Sequence, residues 1–296
     1  MKILITGGSG FLGRQLSVAL LNLGHQIVWL SQNPNQVTPL DNINVIDYHA
    51  LNTLSTPIDI IINLAGAGIA DKRWRNAQKK RLFDSRINPT SAILDFIGNK
   101  PIKLLISGSA IGYYGVSENS VFDENSMPVC QDFASKLCQA WENLALTANA
   151  QNIAIIRTGV ILDPKGGMMT RLLPAFKMGL GGRLGNGKQV LSWISVRDWL
   201  NAVIFIIQKN TQDTLPAQQI YNLTSPNPIT NDKFAHAIAT MLNRPACFHL
   251  PSWLLKLLFG EMATLLIDGQ RVLPQKLLGM GFDFQDQEIY FLEDKL

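Results

Sequence analysis

Three glycines spaced Gly8-x-Gly10-x-x-Gly13 in the stretch TGGSGFLG are the residues whose type and spacing point most directly to chemistry. Backbone without a Cβ bends sharply and can be approached closely, and the N–H groups that open a helix attract phosphate. Gly8 is expected to make the tight turn, Gly10 to let the backbone approach a pyrophosphate, and Gly13 to let helix and strand pack closely. Gly7, Gly10, Phe11, Leu12 and Gly13 are therefore expected cofactor-binding residues. A dinucleotide lying there would carry its adenosine ribose to the end of the next strand, where the chain reads Leu30-Ser31-Gln32-Asn33. An acid at that place would favour NAD, and an arginine the 2′-phosphate of NADP. Hydroxyl and amide groups can hydrogen-bond a phosphate without repelling it. Ser31 and Gln32 are accordingly expected contacts and NADP the expected cofactor, with NAD possible.

A motif of this kind acts only between a strand and a helix. The first thirty residues supply that setting: an apolar strand over Lys2 to Thr6, an amphipathic helix ending at Gly24, and a second apolar strand over Gln26 to Leu30. Apolar runs follow at 58–68, 102–115 and 152–162, with helical patterns between them. Strands alternating with helices predict an α/β chain, a Rossmann-type doubly wound parallel sheet, followed by a smaller mixed C-terminal domain. A soft boundary falls near residue 165, dividing a dinucleotide-binding domain at 1–165 from a substrate-binding C-terminal region at 166–296. The glycine-rich, basic stretch 178–189 and the apolar helices Asn201 to Gln208 and Trp253 to Phe259 belong to the second part.

Composition narrows the function. The 296 residues are 47% hydrophobic and 16% charged, enough for a large core. The formal charge of +4 is spread along the chain, which disfavours nucleic acid as a partner. Three cysteines without C-x-x-C spacing and four scattered histidines suggest neither a metal site nor a disulfide framework. No apolar run reaches the roughly 18 to 20 residues that span a bilayer, so a cytoplasmic protein without membrane partner is expected. The expected partner is a small-molecule substrate, and monomer and homodimer both stay open.

The stretches TGGSGFLG, NLAG and SGSAIGYYG, with the strand carrying Arg157, resemble the extended short-chain dehydrogenase/reductase family, in its sugar-nucleotide epimerase branch. More closely, NLAGAGIADKRW, DSR, KLCQAWE, GLGGRLGNGKQVLSWI and GEMATLLIDGQRVLPQKL resemble a subgroup of atypical epimerase-like proteins with an extra C-terminal domain. By that resemblance Leu64, Ala65 and Gly66 would line the cofactor's adenosine and ribose region. The family's serine, tyrosine and lysine would hydrogen-bond the reacting oxygen, pass the proton and hold the nicotinamide ribose.

This chain departs from the pattern. With Glu142 as anchor, Ala134 stands at the tyrosine position and Cys138 at the lysine position; with Lys136 as anchor, Asp132 takes the tyrosine position. Arg86 replaces the usual asparagine, and its planar cation suits a phosphate or carboxylate, which makes it an expected cofactor or substrate contact. Ser109 precedes Tyr113 by four, the family's spacing, so Ser109, Tyr113 and Tyr114 are the candidate catalytic residues, and Glu124 ranks below them. Arg157, Lys188 and Trp193 are the candidate substrate contacts, Arg157 alternatively pairing with a carboxylate such as Asp198. Cys138 reads as inert core, and Lys72, Lys79 and Lys80 as a solvated helix face. Two functions fit these residues: an NADP(H)-dependent oxidoreductase or epimerase acting on a small carbonyl or sugar-type substrate, and a dinucleotide-binding protein without turnover.

Overall fold

The computed structural model describes residues 1–54, 56–212 and 215–296. Its elements in order are β1 (Lys2–Thr6), α1 (Phe11–Asn22), β2 (Gln26–Leu30), β3 (Asn44–Ile46), α2 (Tyr48–Asn52), β4 (Ile60–Asn63), α3 (Asn76–Ile97), β5 (Leu104–Ala110), β6 (Val121–Phe122), α4 (Phe133–Ala145) and β7 (Asn152–Thr158). Then come β8 (Val160–Asp163), β9 (Gly166–Gly167), α5 (Met169–Lys177), β10 (Gly182–Leu184), β11 (Val190–Leu191), β12 (Trp193–Ser195), α6 (Val196–Gln212) and β13 (Gln218–Leu223). The chain closes with β14 (Ile229–Thr230), α7 (Asn231–Met241), β15 (Phe248–Leu250), α8 (Ser252–Phe259), α9 (Thr264–Ile267), β16 (Arg271–Val272) and α10 (Gln275–Gly279).

Seven strands form one sheet in the order β13-β7-β5-β4-β1-β2-β3, every neighbouring pair parallel. Because side chains alternate along a strand, Ile3 and Ile5 of β1 face one side and Leu4 the other. Ile3 and Ile5 pack with Leu16 and Leu20 of α1 and Trp199, Val203 and Ile206 of α6. Leu4 packs with Ile93, Phe96 and Ile97 of α3. Both faces are thus covered, as a parallel sheet of near-continuous apolar strands requires. The order reverses between β1 and β4, and the crevice at the carboxyl ends of these strands is where such sheets take ligands.

A third cluster joins Leu162, Phe176, Trp193, Phe234 and Leu292 and underlies the smaller sheets of the C-terminal part. The division near residue 165 needs correction in one respect: α6 and β13 come after it, yet β13 is an edge strand of the central sheet and α6 covers it. The C-terminal region also returns to the loop after β5, where β16 pairs with β6 and the Leu273 N–H donates to the Phe122 carbonyl at 2.9 Å. No helix among the described residues is long and apolar enough to cross a membrane.

Candidate functional site

The turn after β1 is held by Gly7, not Gly8. Gly7 lies at φ +70°, and a Cβ there would stand 2.6 Å from the Leu64 carbonyl oxygen at the end of β4. Left-handed backbone and contact with a neighbouring strand each select glycine. Gly8 is constrained by packing instead, because a Cβ would meet the Trp29 indole at 2.3 Å. Gly13 has the expected role: a Cβ would fall 2.2 Å from the Gly7 carbonyl oxygen, so only glycine lets α1 start this close to the turn. Gly10 caps α1 without a side-chain hydrogen bond, and no acid occupies the first turn. The opening N–H groups of Phe11, Leu12 and Gly13 therefore keep their capacity for an anion.

Beside this turn lies a cleft of about 670 Å³, within the range of small-ligand sites. Gly7 and Ser9 line it from the turn, Ser31, Gln32 and Asn33 from the end of β2, and Ala65, Gly66 and Ala67 from the end of β4. Its far wall is one face of α3, including Ala77, Lys80, Arg81, Asp84, Ser85 and Asn88. The spacing of these six follows the helical repeat, so a single stripe of α3 faces the cleft. Arg86 sits behind Gly66: a Cβ on Gly66 would lie 3.1 Å from the guanidinium carbon. Arg86 donates to the Leu82 and Ala67 carbonyls at 3.0 and 3.2 Å and stands over the Trp141 ring at 5.4 Å. Burial pulls its pKa below the usual arginine value, partly offset by the Cys138 sulfur. Among the described residues no carboxylate pairs with it, so Arg86 buttresses the Ala65 to Ala67 loop through backbone carbonyls.

The hydroxyl-bearing centre lies next to this loop, where β5 meets α4. Ser109 and Arg157 are register partners across β5 and β7. Glu142 of α4 joins them: Ser109 Oγ donates to Glu142 Oε1 at 2.5 Å, and Arg157 donates through Nε and Nη2 to both carboxylate oxygens at 2.9 and 2.7 Å. Arg157 Nη1 donates to the Tyr114 hydroxyl at 2.9 Å, which itself donates to Asn222 Oδ1 at 2.7 Å. The guanidinium lies 3.4 Å from the Tyr113 ring centre. Burial pulls the Arg157 pKa down, but the Glu142 carboxylate outweighs it and leaves the net direction upward.

These contacts correct several expectations. Arg157 is 1% exposed and saturated by Glu142 and Tyr114, so it holds the centre together and offers no face to a substrate. Its partner is Glu142; Asp198 accepts instead from the Gln285 and Asp286 N–H groups. Tyr114 is wholly buried, with its pKa pushed up to about 12 by burial, and it packs under Phe122. Such a hydroxyl cannot reach a ligand. Trp193 is also wholly buried, stacked on Phe291 and donating to the Asn227 carbonyl, hence a packing residue. Glu124 is buried and accepts from the Asn222 and Lys276 N–H groups, with burial raising its pKa. Lys188 is exposed on the turn before β11, its N–H bonded to Asn186 Oδ1, and it does not line the cleft.

Asp132 is the N-cap of α4 and accepts from the Ser135 N–H at 2.8 Å, so its carboxylate is engaged in closing the helix start. Ala134 and Cys138 face the centre instead, both within 4 Å of a Cβ on Gly112. Burial first, and the Glu142 charge second, push the Cys138 thiol up to about 11, so it is inert at neutral pH. Tyr113 remains half-buried, and among the described residues its hydroxyl has no hydrogen-bond partner.

Residues 3–224 match the NAD dependent epimerase/dehydratase family and residues 250–290 a domain of unknown function, DUF1731. The chain is similar to epimerase family protein Mb2239 of Mycobacterium bovis, 37% identical over 97% of this chain and 94% of that one. Epimerase family protein YfhF of Bacillus subtilis is 35% identical over 100% and 98% of the two chains. Among solved structures, human epimerase family protein SDR39U1, crystallised with NADPH, superposes with a TM-score of 0.89 at 29% identity, covering 100% of this chain and 98% of that one.

Proposed function

The chain belongs to the NAD dependent epimerase/dehydratase family, and on that premise we propose that it binds NADP(H) and acts as an epimerase-like oxidoreductase on a small carbonyl or sugar-type substrate. The observation that carries this is the turn itself. Gly7 and Gly13 leave no room for a Cβ, and α1 opens uncapped directly after the turn whose Gly7 and Ser9 line the cleft. A cradle of free N–H groups with glycine on each side fits a pyrophosphate. The human relative's NADPH supports the same cofactor.

In this reading Phe11, Leu12 and Gly13 bind the pyrophosphate through backbone N–H groups, Gly10, whose own N–H is bonded to the Gly7 carbonyl, lets the backbone approach it, and Leu64, Ala65 and Gly66 bound the ribose region. Ser31 and Gln32 hydrogen-bond the adenosine end, and Arg86 keeps the Ala65 to Ala67 loop in place through the Ala67 carbonyl. The nicotinamide, when bound, supplies or accepts hydride. The proton is assigned to Tyr113, whose hydroxyl has no hydrogen-bond partner among the described residues and whose ring rests against the Arg157 cation. Ser109 donates its hydrogen bond to Glu142 and positions the centre rather than donating to the reacting oxygen. Much of the rate then comes from placing the two reactants together.

One observation favours a second reading, dinucleotide binding without turnover. Ala134 and the buried Cys138 offer no proton and no cation at the two positions where the family pattern has tyrosine and lysine. The test is sequential. Fluorescence titration with NADPH should show binding; no binding of either dinucleotide ends both readings. Oxidation of NADPH is then screened against aldehydes, ketones and sugar nucleotides, and Tyr113→Phe should slow turnover by roughly 100-fold at unchanged NADPH affinity. Binding with no turnover on any substrate would leave the second reading standing.

A further inference from the structure

We propose that Lys80 and Arg81 of α3 form the subsite for the 2′-phosphate of NADP(H), so that preference for the phosphorylated dinucleotide is carried by this helix and not by the loop after β2. The inference rests on the dinucleotide reading above and adds where the discriminating charge comes from.

The loop after β2 supplies Ser31, Gln32 and Asn33, which are neutral. They can hydrogen-bond a phosphate monoester but cannot neutralise it. Ser31 Oγ accepts from the Asn33 N–H at 3.2 Å, which leaves its own hydrogen to donate. The cleft is shared between this loop and α3, and among the described residues lining it the only cations are Lys80 and Arg81. Both are exposed to the cleft and to solvent. Among the described residues Arg81 has no hydrogen-bond or ion-pair partner. Lys80 is paired with Asp84 one turn later at 2.5 Å, but their side chains are 76% and 41% exposed. An ion pair so exposed opens readily for a stronger anion.

Three other cations, Arg14, Lys79 and Arg73, are occupied elsewhere. Arg14 donates twice to the Thr38 carbonyl, at 2.8 and 3.1 Å, and lies over the Trp29 ring. Lys79 is bonded to Glu261, and Arg73 to the Leu257 carbonyl. Arg81 is thus placed to make a forked contact with a phosphate, and Lys80 to add a point charge. An unphosphorylated ribose offers the cations a neutral hydroxyl and no anion.

The experiment is a fluorescence titration of the full chain with NADPH and with NADH at fixed salt. The unaltered chain is expected to bind NADPH at least tenfold tighter. The double variant Lys80→Ala/Arg81→Ala should lose about 10- to 100-fold in NADPH affinity, the size of one to two charge-assisted contacts. NADH affinity should stay within about twofold, which also shows that the variant is folded. Asp84→Asn, which removes the competing carboxylate, should move the NADPH to NADH ratio the other way. An unchanged ratio in the double variant, an equal loss for both dinucleotides, or equal affinities in the unaltered chain would overturn the proposal while leaving dinucleotide binding intact. Failure of the unaltered chain to bind either one would instead bring down the reading on which it rests.

Discussion

Replacing Glu142 by alanine tests whether the buried polar centre is what holds α4 to the sheet. Glu142 is 2% exposed and Arg157 1%, and the substitution leaves the guanidinium the Tyr114 hydroxyl as its one hydrogen-bond partner among the described residues, with no counter-charge. Ser109 loses its acceptor at the same time. Leaving one member of a buried ion pair behind costs ~3–5 kcal/mol. With an unfolding entropy of roughly 2.1 cal/mol/K per residue, a chain of this length changes Tm by about 1.6 °C per kcal/mol, so Glu142→Ala should lower Tm by roughly 5–8 °C. The comparison that isolates the charge is Glu142→Leu with Arg157→Met, which removes both ions and fills their space. That double variant should melt above Glu142→Ala, because no uncompensated charge remains. Differential scanning calorimetry of the two variants and the unaltered chain provides the measurement. A Tm loss below about 2 °C for Glu142→Ala, or a double variant that melts lower still, would refute the reasoning.

Four further outcomes follow from the same contacts. Gly13→Ala puts a Cβ 2.2 Å from the Gly7 carbonyl oxygen and 2.7 Å from Gly8 Cα, both backbone, and should weaken NADPH binding by tenfold or more, whereas Gly279→Ala, with open space around it, should be neutral in both calorimetry and titration. Tyr114→Phe leaves Asn222 and Arg157 short of a partner and should cost about 1–3 kcal/mol in denaturant unfolding, while Tyr113→Phe, with no partner to lose, should cost almost nothing. Cys138 should resist iodoacetamide in the folded chain while the exposed Cys247 reacts, as mass spectrometry of the labelled peptides would show. Burial pushes the folded Cys138 thiol up to about 11 from an ordinary 9.0, so between those values the unfolded state is expected to have lost the proton and the folded state to have kept it. Stability from this group is complete below about pH 9 and declines as pH rises toward 11, and the Tm profile of Cys138→Ala should be shallower over that window; parallel profiles would contradict the assignment.

What could be read from the residues and what could not divide along a physical line. The βαβ unit around Gly10 is legible because its signals are local: alternating apolar residues, a glycine turn and a helix start lie within thirty residues of one another. Even there the assignment of the turn to Gly8 fails, because φ at Gly7 depends on where β4 comes to rest, and Leu64 is far along the chain. The partner of Arg157 is hidden for the same reason. Its pairing needs the register that sets Ser109 opposite Arg157 and the rotation of α4 that turns Cys138 and Glu142 inward together. A signal was nevertheless present: Cys138 and Glu142 are four apart, so a helix that buries the cysteine buries the carboxylate with it, and a buried carboxylate demands a cation. The run of lysines and arginines in α3 looks like a solvated face until its stripe of Ala77, Lys80, Arg81 and Asp84 is seen to wall the cleft opposite Ser31 and Gln32. Helical spacing tells which residues share a face; only the packing of α3 against the sheet tells what that face meets. In the proposed subsite, the charge that discriminates between two cofactors sits far along the chain from the phosphate-binding turn and still belongs to the same cleft.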